Sequence, residues 1–256
     1  MNSSFSVIIP ARLNSTRLPR KLLLPIAGKS MLRHVVERAL LSDAKHVYVA
    51  ADDQQLIDPL VATDAISVMT SLDHVSGTDR IVEAIQDLEF EPNDVVVNVQ
   101  GDEPLIPPQV VNQVARLLFD SPTIGVASLY STISNVHEIF DPNVVKVVLD
   151  SQSHALYFSR APLPWDRDNF ADGEPAEVES HWFRHLGIYA YRVWALQKFA
   201  SWSPSHLEQV ERLEQLRYLE NGISIVLGHV NEPVSVGVDT PADLARVREL
   251  FATGIE

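Results

Sequence analysis

The sequence predicts an α/β fold, with a mixed, mainly parallel central sheet flanked by helices. Short apolar runs rich in β-branched residues alternate with segments in which apolar residues recur at helical spacing. The run at 7–9 has the character of a strand buried on both faces, and residues 94–100 form the strongest strand pattern in the chain. The 256 residues suffice for one large domain with a substantial core.

The first half of the chain repeats the order strand, loop and helix, which indicates parallel pairing through helical crossovers. Ser30 is placed to cap the first helix, and Ser76 or Thr78 to cap the third. We expect strands at 7–9, 47–50, 66–69 and 94–100, and helices at 30–41, about 54–62, 78–88 and 109–119.

The second half adds an expected hairpin, which makes the sheet mixed. Residues 144–149 and 155–160 flank a turn-prone segment, and the aperiodic residues 164–181 are interpreted as a mobile loop. Leucines on one side of 206–220, with glutamates around them, predict a helix that packs on the core. Further expected elements are strands at 184–192 and 223–227 and helices at 193–200 and after Thr240-Pro241.

Composition restricts the class of partner. There are 20 Lys and Arg residues against 34 Asp and Glu, a net charge of −14, which disfavours binding to a nucleic-acid polymer. The sequence has no cysteine, so a disulfide framework or a thiolate metal site is not expected. The N-terminal residues lack the pattern of a signal peptide, and no apolar run reaches membrane-spanning length, so we expect no membrane span and no membrane partner.

A cluster of cations follows the first strand, against the acidic balance of the whole chain. Arg12, Arg17, Arg20 and Lys21 lie within ten residues. The carboxyl end of a buried strand is where an open α/β sheet binds anionic ligands, and Arg and Lys both suit phosphate. The pattern therefore favours a phosphate-binding loop over the alternative of a solvated surface loop.

Two further places carry carboxylates directly after an apolar segment. Asp102 and Glu103 follow Gly101 at the end of the strand 94–100, and few carboxylates beside a phosphate are what Mg²⁺ prefers. Asp102 is favoured over Glu103 as a ligand, and the alternative is an ordinary polar turn before the next helix. Asp239 precedes the last helix, where a carboxylate also has an ordinary role near a helix N-terminus.

Taken together, the motifs resemble one family, the 3-deoxy-manno-octulosonate cytidylyltransferases or CMP-Kdo synthetases. The resemblance runs in order along nearly the whole chain. It is carried by Ile8-Ile-Pro-Ala-Arg12, Ser15-Thr-Arg-Leu-Pro19 with Lys21, Thr70-Ser-x-Asp-His74, Ser76-Gly-Thr-Asp-Arg80, Val97-Asn-Val-Gln-Gly-Asp-Glu-Pro104, Ala155-Leu-Tyr-Phe-Ser-Arg160, Arg184-His-Leu-Gly-Ile-Tyr189, Leu213-Glu-Gln-Leu-Arg217 and Gly237-Val-Asp-Thr-Pro241.

The resemblance implies a Rossmann-like fold similar to the nucleotide-diphospho-sugar transferases. It implies one cytidylyltransferase domain over 1–256, in which about 155–205 contribute a dimerisation and sugar-binding subregion of a homodimer. The implied reaction takes place in the cytoplasm, uses CTP and 3-deoxy-D-manno-octulosonate (Kdo) with Mg²⁺, and gives CMP-Kdo and pyrophosphate for lipopolysaccharide biosynthesis.

The resemblance also implies roles for individual residues. Arg12 and Lys21 would hold the CTP phosphates with Ser15 and Arg17 nearby, and Ser76 and Gly77 would lie near the cytosine. Asp102 and Asp239 would bind Mg²⁺. The catalytic residues would be Arg12, Lys21, Asp102 and Asp239, and the residues that face the sugar acid would be Gln100, Arg160, His185, Glu214 and Gln215.

Arg20 and Leu22 depart from the family pattern, which has Gly and Pro at these two places. A Gly position often has a positive φ, which Arg adopts only at a cost, so the path of the phosphate loop is open. Three alternatives are also open: activation of 8-amino-Kdo, activation of a sialic acid, or a non-catalytic nucleotide-binding module. A Rossmann dehydrogenase is disfavoured because no Gly-x-Gly-x-x-Gly follows the first strand.

Overall fold

A computed structural model describes residues 4–74, 76–171, 182–231 and 237–254. The strands within these ranges are β1 (Phe5–Ala11), β2 (Pro25–Ile26), β3 (Lys29–Ser30), β4 (His46–Ala51), β5 (Ile66–Met69), β6 (Val95–Asn98), β7 (Val126–Thr132), β8 (Lys146–Leu149), β9 (Ala155–Ser159), β10 (Phe183–Arg192) and β11 (Ile225–His229).

The helices of the same ranges follow the strands in regular alternation over the first half of the chain. They are α1 (Met31–Leu40), α2 (Gln54–Ile57), α3 (Gly77–Gln86), α4 (Pro108–Asp120), α5 (Val136–Phe140), α6 (Val193–Ser201), α7 (His206–Glu211), α8 (Leu216–Glu220) and α9 (Pro241–Ala252), with 3₁₀ turns at Lys21–Leu23 and Asp58–Leu60. None of them is long and apolar enough to cross a membrane, a finding that covers only the described residues.

The central sheet has the strand order β11-β7-β10-β6-β1-β4-β5 along its main path. Strands β1, β4, β5 and β6 pair in parallel, as do β7 and β11, whereas β10 runs antiparallel to both of its neighbours β6 and β7. The hairpin β8–β9 joins the sheet through β8, which pairs with β10. The mixed, mainly parallel sheet and the hairpin predicted from the sequence are therefore confirmed.

Helices cover both faces of this sheet and divide the core in two. Val7 and Ile9 of β1 contribute to a core packed against α1, α4 and α9, whereas Ile8 contributes to a core packed against α3, α6 and α8. All three side chains are fully buried, as predicted for a strand covered on both faces. Each such side chain contributes about 1.5–3 kcal/mol of hydrophobic stabilisation, so the position of β1 is strongly fixed.

The predicted helix starts are confirmed by their caps. The hydroxyl of Ser30 accepts a hydrogen bond from Arg33 N at 3.3 Å, and that of Ser76 accepts one from Asp79 N at 3.1 Å. Thr240 forms a capping box with Asp243 at the start of α9. The helix expected over about 54–62 is shorter than predicted, because α2 ends at Ile57 and the chain tightens into a 3₁₀ turn.

The prediction of one continuous helix over 206–220 is wrong. Arg212 adopts a left-handed conformation with φ of 56°, which ends α7, and the chain resumes helical geometry only at Leu216. The leucine stripe still packs on the core, since Leu213 and Leu216 are both buried. The break places Glu214 in a turn, which frees its side chain from the surface of a regular helix.

Strand β7 was not predicted, although it lies inside the sheet between β10 and β11. Its sequence contains Ser128, a fully buried residue whose hydroxyl lies 2.8 Å from the carbonyl oxygen of Ile188. That contact coincides with a shift in the β7–β10 register between Leu186 and Tyr189. A buried serine inside a strand interrupts the apolar pattern from which the sequence predicts strands. For that reason β7 was missed.

The second half of the predicted loop, residues 172–181, lies outside the described residues. The subregion expected at about 155–205 contributes β9, β10 and α6, which belong to the same sheet and layers as the rest of the chain. Its role in dimerisation stays a prediction.

Candidate active site

A cavity of about 620 Å³ opens where β1 and β6 end at the same edge of the sheet. Its lining comes from the loop after β1, the start of α3, the turn after β6, the middle of β10 and the turn between α7 and α8. The carboxyl ends of parallel strands are the expected position for a ligand in an open α/β sheet. The predicted residues that line it are Arg12, Ser15, Arg17, Lys21, Ser76, Gly77, Gln100, Asp102, His185, Glu214, Gln215 and Asp239.

The loop after β1 carries the cations along one side of the cavity. Arg12 and Arg17 are exposed, whereas Lys21 lies in the 3₁₀ turn with only 11% of its side chain exposed. The backbone of the loop is held against the end of β4, because Leu13 N donates a 2.8 Å hydrogen bond to Asp52 Oδ1. The arrangement gives a fixed backbone with cations directed at one volume, as phosphate binding requires.

Arg20 takes the positive φ that the glycine of the family pattern suggests. Its φ of 54° lies in the left-handed region, and its guanidinium donates to Gln55 Oε1 on α2. Leu22, in place of the family proline, is buried, and its Cδ1 lies 3.2 Å from the position that a Cβ on Gly101 would occupy. The loop therefore keeps the backbone conformation of a glycine while carrying an arginine.

The ammonium group of Lys21 lies between the two carboxylates that are predicted to bind the metal ion. Lys21 Nζ donates to Asp102 Oδ2 and to Asp239 Oδ1, the second at 3.0 Å. Arg17 Nη2 lies 3.1 Å from the same oxygen of Asp239. Three segments far apart in the sequence thus meet at one cationic nitrogen, which fits the predicted convergence of the phosphate loop and the two aspartates.

Backbone contacts hold the two carboxylates together. Val238 N donates a 2.9 Å hydrogen bond to the carbonyl oxygen of Asp102. A Cβ on Gly237 would lie 3.3 Å from Asp102 Oδ1, so only a residue without a side chain approaches this closely without displacement. Gly237 therefore has a packing reason to precede Asp239.

The carboxylates of Asp102 and Asp239 are suitable ligands for Mg²⁺. In this structure the ammonium group of Lys21 is the cation that lies between them. Among the described residues no group of three or more His, Cys, Asp or Glu side chains is placed to hold a metal ion. Mg²⁺ in nucleotide sites uses one or two carboxylates together with phosphate oxygens and water. Asp102 and Asp239 match that requirement, whereas a metal site made only of protein ligands has no candidate in these ranges.

Glu103 also lines the cavity, and its electrostatic environment differs from that of its neighbour. Burial raises the pKa of Glu103 to about 8, and the charge of Asp102 adds to the rise. A carboxyl group with this pKa is protonated at neutral pH. Lys21 Nζ donates to Asp102, and the choice of Asp102 over Glu103 as a metal ligand stays a prediction.

The start of α3 faces the cavity at the position predicted for the cytosine. The Ser76 hydroxyl is used as the cap of α3 and also lies 3.0 Å from Asp79 Oδ2. A Cβ on Gly77 would lie 3.4 Å from Pro10 Cγ. The cap interpretation of Ser76 is thus confirmed, and its contact with a nucleotide stays a prediction.

The residues predicted to face the sugar acid line the same cavity, with one exception. Arg160 is absent from the cavity lining: its Nε donates to the carbonyl oxygen of Glu211 at 2.7 Å and its Nη1 to that of Pro142 at 2.8 Å. To contact a substrate, this guanidinium would have to exchange these partners. The assignment of Arg160 stays a prediction that the present geometry does not support.

Two of the remaining residues have pKa values that are shifted by burial. Burial lowers the pKa of His185 to about 3, so the imidazole is neutral, and its Nε2 lies 2.9 Å from Ser128 Oγ. Burial also raises the pKa of Glu214, whose Oε2 accepts a 2.7 Å hydrogen bond from Thr78 Oγ1. Burial thus disfavours the charged form of both side chains.

Asp52 and Arg80 form a buried link that the sequence reasoning missed. Arg80 lines the cavity with 3% of its surface exposed, and its Nη2 lies 3.1 Å from Asp52 Oδ2. Because the other oxygen of Asp52 accepts from Leu13 N, the pair joins the phosphate loop to α3. The available signal was an arginine inside the motif 76–80 together with an aspartate directly after β4.

Residues 6–225 match the cytidylyltransferase family. A 3-deoxy-manno-octulosonate cytidylyltransferase from Alcanivorax borkumensis is 51% identical over 245 residues, covering 96% of this chain and 97% of the relative. One from Aeromonas hydrophila is 50% identical over 253 residues, covering 97% and 99%.

The chain belongs to the 3-deoxy-manno-octulosonate cytidylyltransferase family.

Solved structures agree with this membership. A CMP:2-keto-3-deoxy-manno-octonic acid synthetase complexed with CTP is 42% identical, covers 98% of this chain and 100% of that chain, and has a TM-score of 0.89. A nucleotidyl transferase from Methanothermobacter, 15% identical with a TM-score of 0.62 over 98% and 99% of the two chains, shares the fold alone. The family and the Rossmann-like fold implied by the motifs are thus confirmed.

Replacing Arg20 with glycine should stabilise this cytidylyltransferase. The left-handed conformation costs about 1–2 kcal/mol for a residue with a Cβ, and the exposed bond to Gln55 returns only part of that. We expect Arg20→Gly to raise the free energy of unfolding by about 1 kcal/mol in urea denaturation. Arg20→Ala is the matched control, since it loses the bond to Gln55 and keeps the strain. Equal stability of the two variants would contradict the strain.

Glu103→Gln should change stability in a pH-dependent way. Below about 4.5 the carboxyl is protonated in both the folded and the unfolded chain, whereas between about 4.5 and 8 only the folded chain retains the proton. The free energy of unfolding of the wild type should therefore fall relative to Glu103→Gln as the pH rises through this window. Urea denaturation with EDTA at pH 5 and pH 8.5 measures it, and the exposed Glu89→Gln is the control. A difference that does not change with pH would show that Glu103 ionises normally.

Proposed function

We propose that the protein transfers CMP from CTP to Kdo, giving CMP-Kdo and pyrophosphate. The observation that carries this proposal is the meeting of the cationic loop with Asp102 and Asp239 at Lys21 Nζ, within a cavity large enough for a nucleotide and a sugar. The names of the relatives and the CTP complex of the structural neighbour support the choice of substrates.

The reaction is an in-line displacement at phosphorus. The anomeric hydroxyl oxygen of Kdo forms a bond to the α-phosphorus of CTP, the bond to the bridging α–β oxygen breaks, and pyrophosphate leaves with that oxygen. The hydroxyl proton goes to water, and none of the residues assigned here forms a covalent intermediate. The protein acts mainly by positioning the reactants and by neutralising charge.

The cations of the loop supply that neutralisation. Arg12 is exposed to the cavity, and Arg17 and Lys21 reach it from the same loop. Their charges would stabilise the negative charge that develops on the leaving pyrophosphate. Lys21 would have to leave the two carboxylates to contact a phosphate, so the carboxylates need another cation when CTP binds.

Mg²⁺ is our proposal for that cation, held by Asp102 and Asp239. When bound, it supplies charge neutralisation at the phosphates and lowers the pKa of a hydroxyl close to it. The two aspartates would fix its place relative to the loop, and the backbone contacts around Gly237 would keep them together.

We further propose a homodimer in the cytoplasm. Leu156 and Trp165 within the predicted subregion are 62% and 60% exposed, so a second copy of the chain could bury these large apolar side chains.

Activation of 8-amino-Kdo or a sialic acid is the alternative within the same chemistry, since these acids carry the same kinds of carboxylate and hydroxyl groups as Kdo. A non-catalytic nucleotide-binding module is disfavoured by the paired carboxylates, because holding a nucleotide does not require both.

A pyrophosphate-release assay tests the proposal. The protein with Mg²⁺ is given CTP, ATP, GTP or UTP, each with Kdo, 8-amino-Kdo, a sialic acid or no sugar. We expect release only with CTP, and fastest with Kdo. Release with another sugar acid in preference to Kdo would support the alternative substrate, and no release under any condition would support the binding module.

Asp102→Asn should lower turnover far more than it weakens CTP binding. Losing one carboxylate removes charge that is needed most in the transition state, so we expect kcat to fall about 10²–10³-fold while KM for CTP changes only severalfold. Asp43→Asn, which affects an exposed pair with Arg116, is the matched control, and EDTA should abolish the activity of the wild type. Turnover of Asp102→Asn equal to that of the wild type would refute the metal assignment.

A further inference from the structure

Lys146, the first residue of β8, is a fully buried lysine that the proposed reaction does not use. Its side chain has no exposed surface, and it is one of the largest side chains that the described part of the protein buries completely. A lysine is almost never buried in this way unless its ammonium group has partners. The partners of Lys146 therefore indicate what a charge in the interior contributes.

All three N–H donors of the ammonium group are used on backbone carbonyl oxygens. Lys146 Nζ donates to the oxygens of Asp141 at 2.8 Å, Val144 at 2.5 Å and Arg160 at 2.7 Å. An ammonium group has three donors and no acceptor, so its hydrogen-bonding capacity is filled. The neutral amine has two N–H bonds and a lone pair, and the lone pair would face one of the oxygens. Only the charged form therefore satisfies all three carbonyls.

These carbonyls belong to two segments, which Lys146 joins. Two of them lie in the 141–145 turn between α5 and β8, and the third is that of Arg160, directly after β9. Arg160 strengthens the same link, because its Nη1 donates to the carbonyl oxygen of Pro142 at 2.8 Å. Its backbone N donates to a carboxylate oxygen of Glu211, the last residue of α7, at 3.0 Å. Two cations thus hold the turn, the end of β9 and the end of α7 together.

The 141–145 turn is part of the cavity wall. Asn143 and Val145 line the cavity, whereas Lys146 itself does not. His185 N donates to the carbonyl oxygen of Val145 at 2.8 Å, which joins the turn to β10. A change at the ammonium group would therefore reach the cavity through backbone that carries lining side chains.

The charge of Lys146 depends on pH in a range where an enzyme can be assayed. Burial lowers the pKa of Lys146 to about 8; the charge of Asp141 opposes this shift, that of Arg160 adds to it and that of Glu211 opposes it. The group is therefore a cation at neutral pH, and it loses its proton in mildly alkaline solution.

Other titratable groups flank Lys146 on β9, β10 and α5. Lys146 lies opposite Arg184 of β10, whose Nη1 is 3.3 Å from Glu138 Oε1 of α5. Burial raises the pKa of Tyr157 on β9 and lowers that of His185 on β10 to about 3, so both are neutral near pH 8. Of the groups that burial shifts in β8, β9 and β10, Lys146 is the one that titrates near pH 8.

We propose that Lys146 is a positioning residue for the reaction, whose ammonium group must be charged to hold the 141–145 turn and the end of β9 in the active geometry of the cavity wall. The inference rests on the proposed function and does not place Lys146 in contact with a substrate. Loss of the proton would release one of the three carbonyl oxygens and loosen the turn. Because the turn is joined to His185, which is expected to face the sugar acid, the effect should appear in the kinetics of Kdo.

The pH dependence of kcat/KM for Kdo, at saturating CTP and Mg²⁺, tests the inference. In the wild type it should fall above about pH 8 by about tenfold per pH unit, as for the loss of one proton. Lys146→Met, similar in length and without charge, should be about ten- to a hundredfold less active at pH 7 and have no alkaline limit. Lys198→Met is the matched control, since Lys198 is exposed and outside the cavity, and it should keep the wild-type profile.

Measurements of stability distinguish this effect from unfolding. Because burial lowers the pKa of Lys146, the folded chain releases this proton before the unfolded chain does. The contribution of Lys146 to the free energy of unfolding therefore rises between about pH 8 and pH 10.5, while the activity falls. Urea denaturation of the wild type and of Lys146→Met at pH 7.5 and pH 9.5 should show this opposite trend, which a purely structural role does not predict.

Chemical replacement of the amine gives a second readout. The chain has no cysteine, so Lys146→Cys introduces its only thiol. Alkylation of the unfolded variant with 2-bromoethylamine, followed by refolding, gives an S-aminoethylcysteine, in which sulfur replaces one methylene group of lysine. The sulfur lowers the pKa of the amine, so activity should return with an alkaline limit at lower pH than in the wild type. Wild-type protein carried through the same treatment is the control.

Several results would overturn the inference and leave the proposed function intact. They are a wild type without an alkaline limit, wild-type kinetics in Lys146→Met, and an aminoethylated variant that stays inactive or keeps the wild-type limit although the treated wild type recovers. A limit that persists in Lys146→Met would assign it to another group, of which Glu103 is the candidate in the cavity. Absence of pyrophosphate release by the wild type with CTP and Kdo at pH 7 would instead overturn the proposed function.

Discussion

The structure depends on a balance of charge at one point, where the ammonium of Lys21 separates the carboxylates of Asp102 and Asp239. Two carboxylates brought together in a partly enclosed site repel each other unless a cation lies between them. Lys21 supplies that cation, and only 11% of its side chain is exposed. The two carboxylates therefore need a cation between them, and in the proposed function Mg²⁺ would take that place when Lys21 moves to a phosphate.

The rest of the fold keeps this point fixed. Strands β1 and β6 are neighbours in the sheet, so the loop after one and the turn after the other begin side by side. The approach of Gly237 to Asp102 adds the third segment, and the pair of Asp52 and Arg80 fixes the loop against α3. Each link joins residues distant in the sequence, which explains why the motifs are spread along nearly the whole chain.

The sequence was sufficient to predict the strands with simple apolar patterns and the caps at Ser30, Ser76 and Thr240. It was not sufficient for β7, where a buried serine bonds to a bulged neighbour, because the apolar pattern does not show that pairing. The break at Arg212 was also missed, since a left-handed residue other than glycine has no reliable local signal. That break is what turns Glu214 toward the cavity, so periodicity alone gave it the wrong environment and the family resemblance was needed.

The candidate site, like the fold, could be predicted from the sequence only in part. Cations after a strand and an aspartate after a glycine are local patterns, and both lie at the cavity as predicted. The unpartnered hydroxyls of Tyr189 and Tyr218 could not be predicted from the sequence, because a tyrosine on a strand or helix is usually part of the core. Only the three-dimensional structure shows that they lack partners. Arg160 is the opposite case, a residue expected from the family motif whose guanidinium is bonded elsewhere.

The most direct test of the convergence at Lys21 is anomalous scattering from crystals grown with Mn²⁺ and a non-hydrolysable CTP analogue. Mn²⁺ accepts the carboxylate and phosphate oxygens that Mg²⁺ uses, and its position can be determined independently of the surrounding map. We expect a manganese peak within bonding distance of both Asp102 and Asp239, with Lys21 Nζ moved from the carboxylates to a phosphate oxygen. A manganese peak remote from either aspartate, or a Lys21 that still lies between them with the nucleotide bound, would contradict this account.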